Sequence, residues 1–296
     1  MSIEFIQAAA TALFSPRLEI VKTTPVGGGC IHELFRIETK TGREFAVKIA
    51  KGQHANAMLS AELAGLSAIA DTNSVRTPRV DGIWQSPDGN SAVMFLEWIE
   101  PGRRSIDFGE RLATALANLH QSPSFDGRFG FSANNFIGSS EQFNSWSDSW
   151  VEFWRDRRLL PQLNMAKSRG AGRELLDAGH RVADRLDRWL DDDRPSSVLI
   201  HGDLWSGNVL ADSKGDPVLI DPAVYYSSCE TELGMTTLFG DFGESFLQEY
   251  LRLSPLADGW EDRVTIYRLY HLLNHFNLFG SSHESGCLEI VKRLAS

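Results

Sequence analysis

The sequence predicts an α+β fold in two lobes, with an antiparallel sheet plus one helix in the N-terminal lobe and a mostly helical C-terminal lobe. Three observations lead to this prediction. Short runs of β-branched and aromatic residues fill the first third of the chain, and apolar residues recur at helical spacing over much of the remainder. At 296 residues, the chain also exceeds the size that one hydrophobic core usually reaches. We place the boundary beside Pro101-Gly102, which gives lobes of residues 1–99 and 100–296.

The elements of the N-terminal lobe follow from alternating and helical apolar patterns. A glycine cluster separates the first two strands, and the turn Lys40-Thr41-Gly42-Arg43 precedes the next one. Between residues 55 and 70 the apolar residues recur at the spacing of a helix that buries one face. The predicted elements are strands at 18–24, 31–39, 44–50 and 92–99 and a helix at 55–70.

The C-terminal lobe is predicted to be helical apart from a few short strands. Helices are expected at 106–121, 150–163, 173–190 and 261–279. Short strands are expected at 198–200, 208–211 and 217–220. The last two would form a hairpin, because a short polar turn joins them.

The composition narrows the class of protein. No stretch approaches the roughly 20 apolar residues of a membrane span, and the first residues do not form a secretory signal. We therefore expect a cytoplasmic protein with no membrane partner. Cys30, Cys229 and Cys287 are too far apart for a zinc site or a disulfide framework. A net charge of −10 argues against a nucleic-acid partner and favours an amine-bearing small molecule.

The loop from His201 to Asn208 carries the strongest chemical signal. Asp203 and Asn208 are five residues apart, and Asp221 follows the predicted hairpin, so the three side chains can converge. Phosphoryl transfer needs such a set, because a carboxylate must orient and deprotonate the attacking hydroxyl while oxygen ligands hold Mg²⁺ on the nucleotide phosphates. The spacing matches the catalytic loop of kinases.

A structural role is the alternative for this segment. A lone aspartate and asparagine at this spacing are common, and Asn208 could cap a turn. Four further residues accompany Asp203 and Asn208 at the spacing of the same motif: His201, Gly202, Trp205 and Asp221. Because an exposed loop gains no stability from so many demanding residue types, the complete set favours catalysis.

A glycine cluster in the N-terminal lobe is a candidate phosphate cover. Gly27, Gly28 and Gly29 lie between two predicted strands, so their main-chain amides could close over phosphates as a flap. In Walker-type and Rossmann sites, by contrast, the glycines open a helix. For a glycine cluster taken alone, an ordinary turn remains the alternative.

Lys48 and Glu62 form a candidate ion pair. Lys48 shares a strand face with Ala46 and Ala50, which leaves room for a flat base beside it. Glu62 lies at the edge of the apolar stripe of the predicted helix, where a carboxylate needs a cation. The pair matches the strand lysine and the helix glutamate of kinases. Taken singly, Lys48 could be a solvated edge-strand lysine and Glu62 an ordinary boundary residue.

Together these motifs resemble the fructosamine kinase (ketosamine-3-kinase) family, a branch of the aminoglycoside-phosphotransferase-like proteins with a two-lobed protein-kinase-like fold. The resemblance extends from residue 25 to beyond residue 275. Besides the flap at 25–31 and the loop at 201–208, it rests on Asn135-Phe136-Ile137-Gly138, Trp150-Val151-Glu152-Phe153-Trp154, Ile220-Asp221-Pro222-Ala223-Val224-Tyr225-Tyr226 and Tyr270-His271-Leu272-Leu273-Asn274-His275-Phe276-Asn277.

The resemblance implies an ATP- and Mg²⁺-dependent kinase that phosphorylates a sugar hydroxyl of a ketosamine, and hence a role in the repair of glycated amines. It implies Asp203 as the catalytic base, with Asn208 and Asp221 as Mg²⁺ ligands. Lys48 would bind the nucleotide phosphates, with Glu62 as its partner.

The rest of the nucleotide site also follows from the resemblance. The glycine flap would cover the phosphates, and Glu97-Trp98-Ile99 would be the hinge whose main chain meets adenine. On the acceptor side, Ser132-Ala133 stands where related proteins often carry larger polar groups, so the preferred acceptor stays open.

Several aromatic residues are candidates for the acceptor site. Trp205 is expected to shape the substrate side of the catalytic loop, and Trp146 and Asp148 are further candidates, because aromatic faces suit sugar rings and amines. A buried helical face is the better interpretation for the neighbouring aromatic residues Trp150, Phe153 and Trp154.

Two other functions fit part of the pattern. The chain could be another small-molecule kinase of the same fold, acting on an aminoglycoside, choline or homoserine. It could also be a nucleotide-binding regulator, although such proteins usually lose the aspartates or the lysine that are all present here. Cys30 could be an oxidation-sensitive thiol or simply a small flap residue. His271 and His275 have the spacing of a metal pair, but packing is favoured without a third ligand.

Overall fold

The computed structural model describes residues 3–14, 18–27, 32–191, 195–240 and 242–295. Its contacts divide the chain into two compact units. The first consists of Met1–Ser105 and Val209–Asp221, and the second of Ile106–Asn208 and Pro222–Ser296. The contacts thus group the hairpin after the catalytic loop with the first unit, and the lobe boundary after residue 99 stays a prediction.

A five-stranded antiparallel sheet forms the centre of the first unit. Its strands, in the order β1-β2-β3-β5-β4, are β1 (Ile20–Val26), β2 (Glu33–Thr39), β3 (Glu44–Lys51), β4 (Val80–Gln85) and β5 (Ser91–Glu97). The predicted antiparallel sheet is confirmed. The sequence does not predict β4, because Asp81 and Gly82 are residues that strands disfavour.

Two helices pack on this sheet rather than the single helix expected. The predicted helix is present as α2 (Ala55–Asp71), and α1 (Ile3–Leu13) is an addition. α1 buries Ile6, Ala9 and Ala10 in one apolar cluster with the sheet. Its three-residue run of alanines gives only a weak amphipathic signal, which explains why the sequence pattern misses it.

The alternation of β3 decides which side chains reach each helix. Phe45, Val47 and Ile49 belong to the cluster that contains α1. Ala46 and Ala50 belong instead to the cluster formed with α2. Lys48 therefore lies on the α2 side of the sheet, among small residues, as the sequence predicts.

A short hairpin completes the first unit. It consists of β9 (Val209–Ala211) and β10 (Pro217–Leu219), which pair in antiparallel register. Asp212 in its turn accepts a hydrogen bond of 2.7 Å from Arg76 Nη1, and the Leu219 N–H donates to the Arg76 carbonyl over 2.9 Å. Arg76 thus fastens the turn and the second strand of the hairpin to the segment before β4.

The second unit is mostly helical, as predicted. Its helices are α3 (Phe108–Leu119), α4 (Trp150–Trp154), α5 (Leu160–Ser168), α6 (Arg173–Ala183), α7 (Glu230–Thr236), α8 (Glu244–Leu253), α9 (Trp260–Phe279) and α10 (Glu284–Ala295). The sequence does not predict α7, α8 or α10. A π-helical turn, Arg155–Leu159, separates α4 from α5, where one continuous helix is expected.

Four short strands and a large apolar core organise the second unit. The strands form two antiparallel pairs, β6 (Asn135–Ile137) with β7 (Ser140–Gln142) and β8 (Val198–Ile200) with β11 (Tyr225–Ser227). The core includes Trp150, Phe153 and Trp154, which confirms that these aromatic residues serve packing. In the described part of the chain, no helix is both long and apolar enough to span a bilayer.

Candidate active site

Lys48, Glu62 and Asp221 form a cluster of charges in the first unit. The Lys48 Nζ atom lies 2.6 Å from Glu62 Oε1 and 2.5 Å from Asp221 Oδ1. Lys48 and Glu62 are largely buried, whereas the side chain of Asp221 is 45% exposed. The structure therefore joins the predicted phosphate-binding lysine to its predicted helix partner and to one predicted metal ligand.

The charges of this cluster shift the pKa of each member. Burial opposes the charge on Lys48, but the two carboxylates outweigh burial and raise its pKa. Partial burial likewise opposes ionisation of Asp221, but the Lys48 ammonium outweighs it and lowers the pKa. For the more deeply buried Glu62, burial outweighs Lys48 and raises the pKa to about 7. At neutral pH, Asp221 is thus the more fully ionised carboxylate.

The main chain at Asp221 is held in an unusual conformation. Its φ is 54°, in the left-handed region that non-glycine residues rarely adopt. Such conformations cost free energy and concentrate at functional sites, where the surrounding structure holds them. The position of Asp221, two residues after β10, thus combines backbone strain with a charged, partly exposed side chain.

The catalytic loop begins where the buried strand β8 ends. His201 is buried, and Gly202 follows it with a φ of 83°. A Cβ atom at Gly202 would lie 2.1 Å from the Ala223 carbonyl oxygen, so only glycine fits. Asn208 closes the loop by donating from Nδ2 to the Asp203 carbonyl over 2.8 Å and to Asp203 Oδ2 over 3.1 Å. The structure therefore brings Asp203 and Asn208 together, as their spacing predicts.

Glu232 holds the main chain of this loop, a role that sequence reasoning missed. Its carboxylate accepts hydrogen bonds from the His201 N–H over 2.5 Å and from the Gly202 N–H over 3.1 Å. The residue is 1% exposed. His120 Nε2 lies 3.7 Å from the same carboxylate. The sequence offered one signal for this role: Glu232 directly precedes Leu233, Gly234 and Met235, which suggests a buried position. A fully buried acid is rare unless it has a partner.

His32 is a second residue that the sequence analysis did not single out. His32 directly precedes β2 and lies close enough to Lys48 and Asp221 for both charges to act on it. Burial and the nearby Lys48 charge lower the pKa of His32 to about 4. His32 is therefore a neutral ring beside the charged cluster at physiological pH.

The described parts of the predicted phosphate cover and of the hinge lie at the ends of strands of the same sheet. Gly27 directly follows β1. A Cβ atom placed on Gly27 would have no described neighbour within 4 Å. Gly28, Gly29 and Cys30 lie outside the described residues. Glu97 ends β5 and accepts a hydrogen bond of 2.6 Å from Arg76. No described residue is hydrogen-bonded to the main-chain N–H or C=O of Trp98 or Ile99, the next two positions.

The candidate acceptor residues fall in two aromatic groups of the second unit. The Trp205 ring meets Phe239 edge to face, with the ring centroids 6.5 Å apart. The Trp146 ring is 36% exposed and lies 6.0 Å from Tyr226, with the Arg128 guanidinium 5.5 Å from its centroid. Asp148 is exposed.

Comparison with solved structures defines the fold class. An aminoglycoside phosphotransferase of 12% sequence identity superimposes with a TM-score of 0.61, and the match covers 93% of this chain and 94% of that one. The fold is therefore that of the aminoglycoside phosphotransferases and protein-kinase-like proteins, which confirms the predicted fold class.

Sequence comparison then gives the family. The model of the fructosamine kinase family matches residues 2–296. The chain is 37% identical to a chloroplastic protein-ribulosamine 3-kinase of Oryza sativa subsp. indica, covering 92% of this chain and 78% of that protein. It is 32% identical to the ketosamine-3-kinase of Mus musculus, covering 91% and 93%. The chain belongs to the fructosamine kinase family, and the predicted resemblance is confirmed.

Proposed function

We propose that this protein is an ATP-dependent ketosamine kinase that phosphorylates a sugar hydroxyl of its acceptor. A ketosamine is the rearranged adduct of a sugar and an amine, so the cellular role is repair of glycated amines. The observation that carries this proposal is the family match over residues 2–296. The charged cluster and the catalytic loop supply the groups that phosphoryl transfer needs.

The first unit supplies the groups for the nucleotide. Lys48 neutralises charge on the phosphates, and Glu62 holds its ammonium in place from α2. The free main-chain groups of Trp98 and Ile99 suit the donor and acceptor edge of adenine. The amides of Gly27, Gly28 and Gly29 close over the phosphates in this proposal, which for the last two rests on the sequence alone.

Asn208 and Asp221 are the proposed ligands of Mg²⁺. Both offer oxygen atoms, which this cation prefers. The Asn208 Nδ2 atom already donates to Asp203, so its amide oxygen is the atom that suits a cation. In the chain, Asn208 directly precedes β9 and Asp221 follows β10 by two residues. When bound, Mg²⁺ neutralises charge on the phosphates during transfer.

Asp203 is the proposed catalytic base. Its carboxylate orients the acceptor hydroxyl and takes its proton as the oxygen attacks the terminal phosphoryl group. Asn208 and Glu232 fix the loop around it, so the carboxylate needs little reorganisation at the moment of reaction. Trp205, Trp146 and Asp148 are proposed to contact the acceptor.

The test is ADP release by the purified protein with Mg²⁺-ATP. Three acceptors are compared: a fructose-derived lysine adduct, a ribose-derived lysine adduct and an aminoglycoside. We expect either ketosamine to stimulate ADP release and the aminoglycoside to have no effect. Stimulation by the aminoglycoside alone would leave the fold intact and overturn the proposed substrate.

A further inference from the structure

Arg158 is a buried cation of the second unit that donates only to neutral oxygens. It belongs to the π-helical turn between α4 and α5, and it is fully buried. Its guanidinium donates to the Phe143 carbonyl over 2.5 Å and to Asn144 Oδ1 over 2.8 Å. Its Nε atom has no hydrogen-bond partner among the described residues. Because arginine is almost never fully buried without an acid beside it, this position calls for a physical reason.

Aromatic rings surround the charge of Arg158. The guanidinium Cζ atom lies 3.9 Å from the centroid of the Tyr225 ring, 4.6 Å from that of Phe153 and 5.8 Å from that of Tyr270. The face of an aromatic ring attracts a cation, and most strongly where water is excluded. The charge of Arg158 is therefore held by these rings and holds them in turn.

The Tyr225 ring connects Arg158 to the catalytic loop. In the register of β11 with β8, Tyr225 lies opposite Ile200, the last residue of β8. A Cβ atom placed on Gly202 would lie 3.4 Å from Tyr225 Cε1, so the ring lies against the main chain of the loop. Gly202 directly precedes Asp203. The ring that stacks on Arg158 thus packs beside the residue next to the proposed base.

A chain of buried amides forms a second connection from Arg158. Asn144 accepts from Arg158 and donates from Nδ2 to Asn135 Oδ1 over 2.9 Å. Gln142 Nε2 donates to the same oxygen over 2.8 Å and to the Ala223 carbonyl over 3.0 Å. All three amide side chains are buried, so each of these hydrogen bonds would be costly to lose.

The chain of amides ends at the main chain of the catalytic loop. The Ala223 N–H donates to the His201 carbonyl over 2.9 Å. The Ala223 carbonyl oxygen would lie 2.1 Å from a Cβ atom placed on Gly202. Ala223 therefore lies directly against the first two residues of the loop that carries Asp203.

Arg158 sets the direction of the hydrogen bonds in this chain. A guanidinium can only donate, so Asn144 must turn its Oδ1 towards Arg158 and its Nδ2 towards Asn135. Asn135 then presents an acceptor, which Gln142 meets with the same Nε2 atom that donates to Ala223. A neutral side chain that both donates and accepts would leave this direction open.

We propose that Arg158 is a positioning residue for the proposed reaction: through the Tyr225 ring and the chain of amides, it fixes the main chain at the start of the catalytic loop and hence the Asp203 carboxylate. This inference rests on the proposed function. A guanidinium suits the task, because it combines several donors and no acceptor with a flat face for stacking. π-Helical turns inside helices are also frequent at functional sites.

The experiment measures kcat and KM for ATP by ADP release with fructosyl-lysine, and amide hydrogen exchange of residues 201–208. Arg158→Gln removes the charge and offers both a donor and an acceptor. Arg158→Lys keeps a charged group that only donates. Arg155→Gln is the matched control, because Arg155 lies in the same π-helical turn, is partly exposed and pairs with its neighbour Asp156.

We expect Arg158→Gln to lower kcat by between about tenfold and 10²-fold, because a misplacement of about 1 Å in an active site costs up to that much. KM for ATP should stay unchanged, and amide exchange at 201–208 should become faster. Arg158→Lys should recover part of the lost kcat. Arg155→Gln should change neither kcat nor the exchange.

Unchanged kcat in Arg158→Gln, even with lower thermal stability, would overturn the proposal, as would an equal loss in Arg155→Gln. If Arg158→Gln does not fold, Gln142→Met removes the amide that joins the chain to Ala223, and normal kcat in that variant would overturn the proposal. If fructosyl-lysine does not stimulate ADP release by the unaltered protein, the proposed function fails. Hydrogen exchange at 201–208 then decides whether Arg158 fixes the loop.

Discussion

At the scale of single residues, Asp203 carries the chemistry of the proposed reaction. Its carboxylate accepts a hydrogen bond from Asn208. The main chain of its loop is held by hydrogen bonds to Glu232. Neither of these contacts requires nucleotide. The role of Asp203 can therefore be separated from the binding of ATP.

Asp203→Asn is expected to keep nucleotide binding and to lose most turnover. A positioned general base typically contributes about 10² to 10⁴ in rate, so kcat should fall within that range. Calorimetric titration with Mg²⁺-ATP measures binding, and ADP release measures turnover. Wild-type turnover in this variant would refute Asp203 as the base.

Glu62 gives a prediction about stability and pH. Its pKa is about 7 in the folded protein against 4.5 for the free side chain, so between these values the folded state holds a proton that the unfolded state has released. The contribution of Glu62 to stability is therefore fully present below about pH 4.5 and is lost as the pH rises towards 7.

Denaturant unfolding of wild type and Glu62→Gln at pH 4.5 and 7.5 measures this contribution. Glutamine cannot ionise, so we expect the variant to gain stability relative to wild type as the pH rises. Glu289→Gln, at an exposed glutamate, should show no such trend. A difference between Glu62→Gln and wild type that stays constant over this interval would contradict the raised pKa.

At the scale of elements, helix α7 positions the catalytic loop through Glu232. The carboxylate accepts from two successive main-chain N–H groups, a geometry that one charged group provides and an amide does not. Because the contact is with main chain, any displacement of α7 is transmitted to the loop. Glu232 is thus a positioning residue rather than a catalytic one.

Glu232→Gln is expected to lower kcat about tenfold or more, since it leaves one buried N–H without an acceptor. KM for ATP should change little, because the two hydrogen bonds of Glu232 go to the main chain of the catalytic loop. Glu232→Asp should recover part of the lost kcat. Loss of thermal stability with unchanged kcat would show that the carboxylate serves the fold alone.

Helix α1 is one of the elements that the sequence pattern missed, and its contribution to stability can be measured. Ile6 of α1 is 1% exposed and packs in the apolar cluster with the sheet, whereas Ile3 of the same helix is 45% exposed. Ile6→Ala should lower the free energy of unfolding by about 2–5 kcal/mol, as large-to-small core substitutions do. Ile3→Ala, the control, should cost less than about 1 kcal/mol. Equal effects would contradict the packing of α1 on the sheet.

At the scale of the whole molecule, the sequence predicts more of the nucleotide side than of the acceptor side. Lys48 and Glu62 were recognisable because strand alternation and helical spacing are local patterns. Glu232 and His32 were not, because their roles depend on contacts between segments far apart in sequence. The Glu232 carboxylate, for example, accepts hydrogen bonds from main-chain N–H groups that lie 31 and 30 residues earlier in the chain.

The helices that escaped prediction show the same limit. α7 contains the glutamates Glu230 and Glu232 and a glycine, so its composition is typical of an exposed segment, yet every residue of it is buried. α7 is buried because it packs against α9, which follows later in the chain. The spacing of apolar residues reveals a helix that buries one face and exposes the other. It does not reveal a helix such as α7 that is buried on all sides.

The measurement that tests the central claim most directly is phosphorus NMR of the product. Purified protein is incubated with Mg²⁺-ATP and fructosyl-lysine, with Asp203→Asn as the control. The account predicts a new phosphate-monoester resonance coupled to a sugar proton, growing with ADP and absent with the variant. ADP release without such a resonance, or an equal resonance with Asp203→Asn, would contradict it.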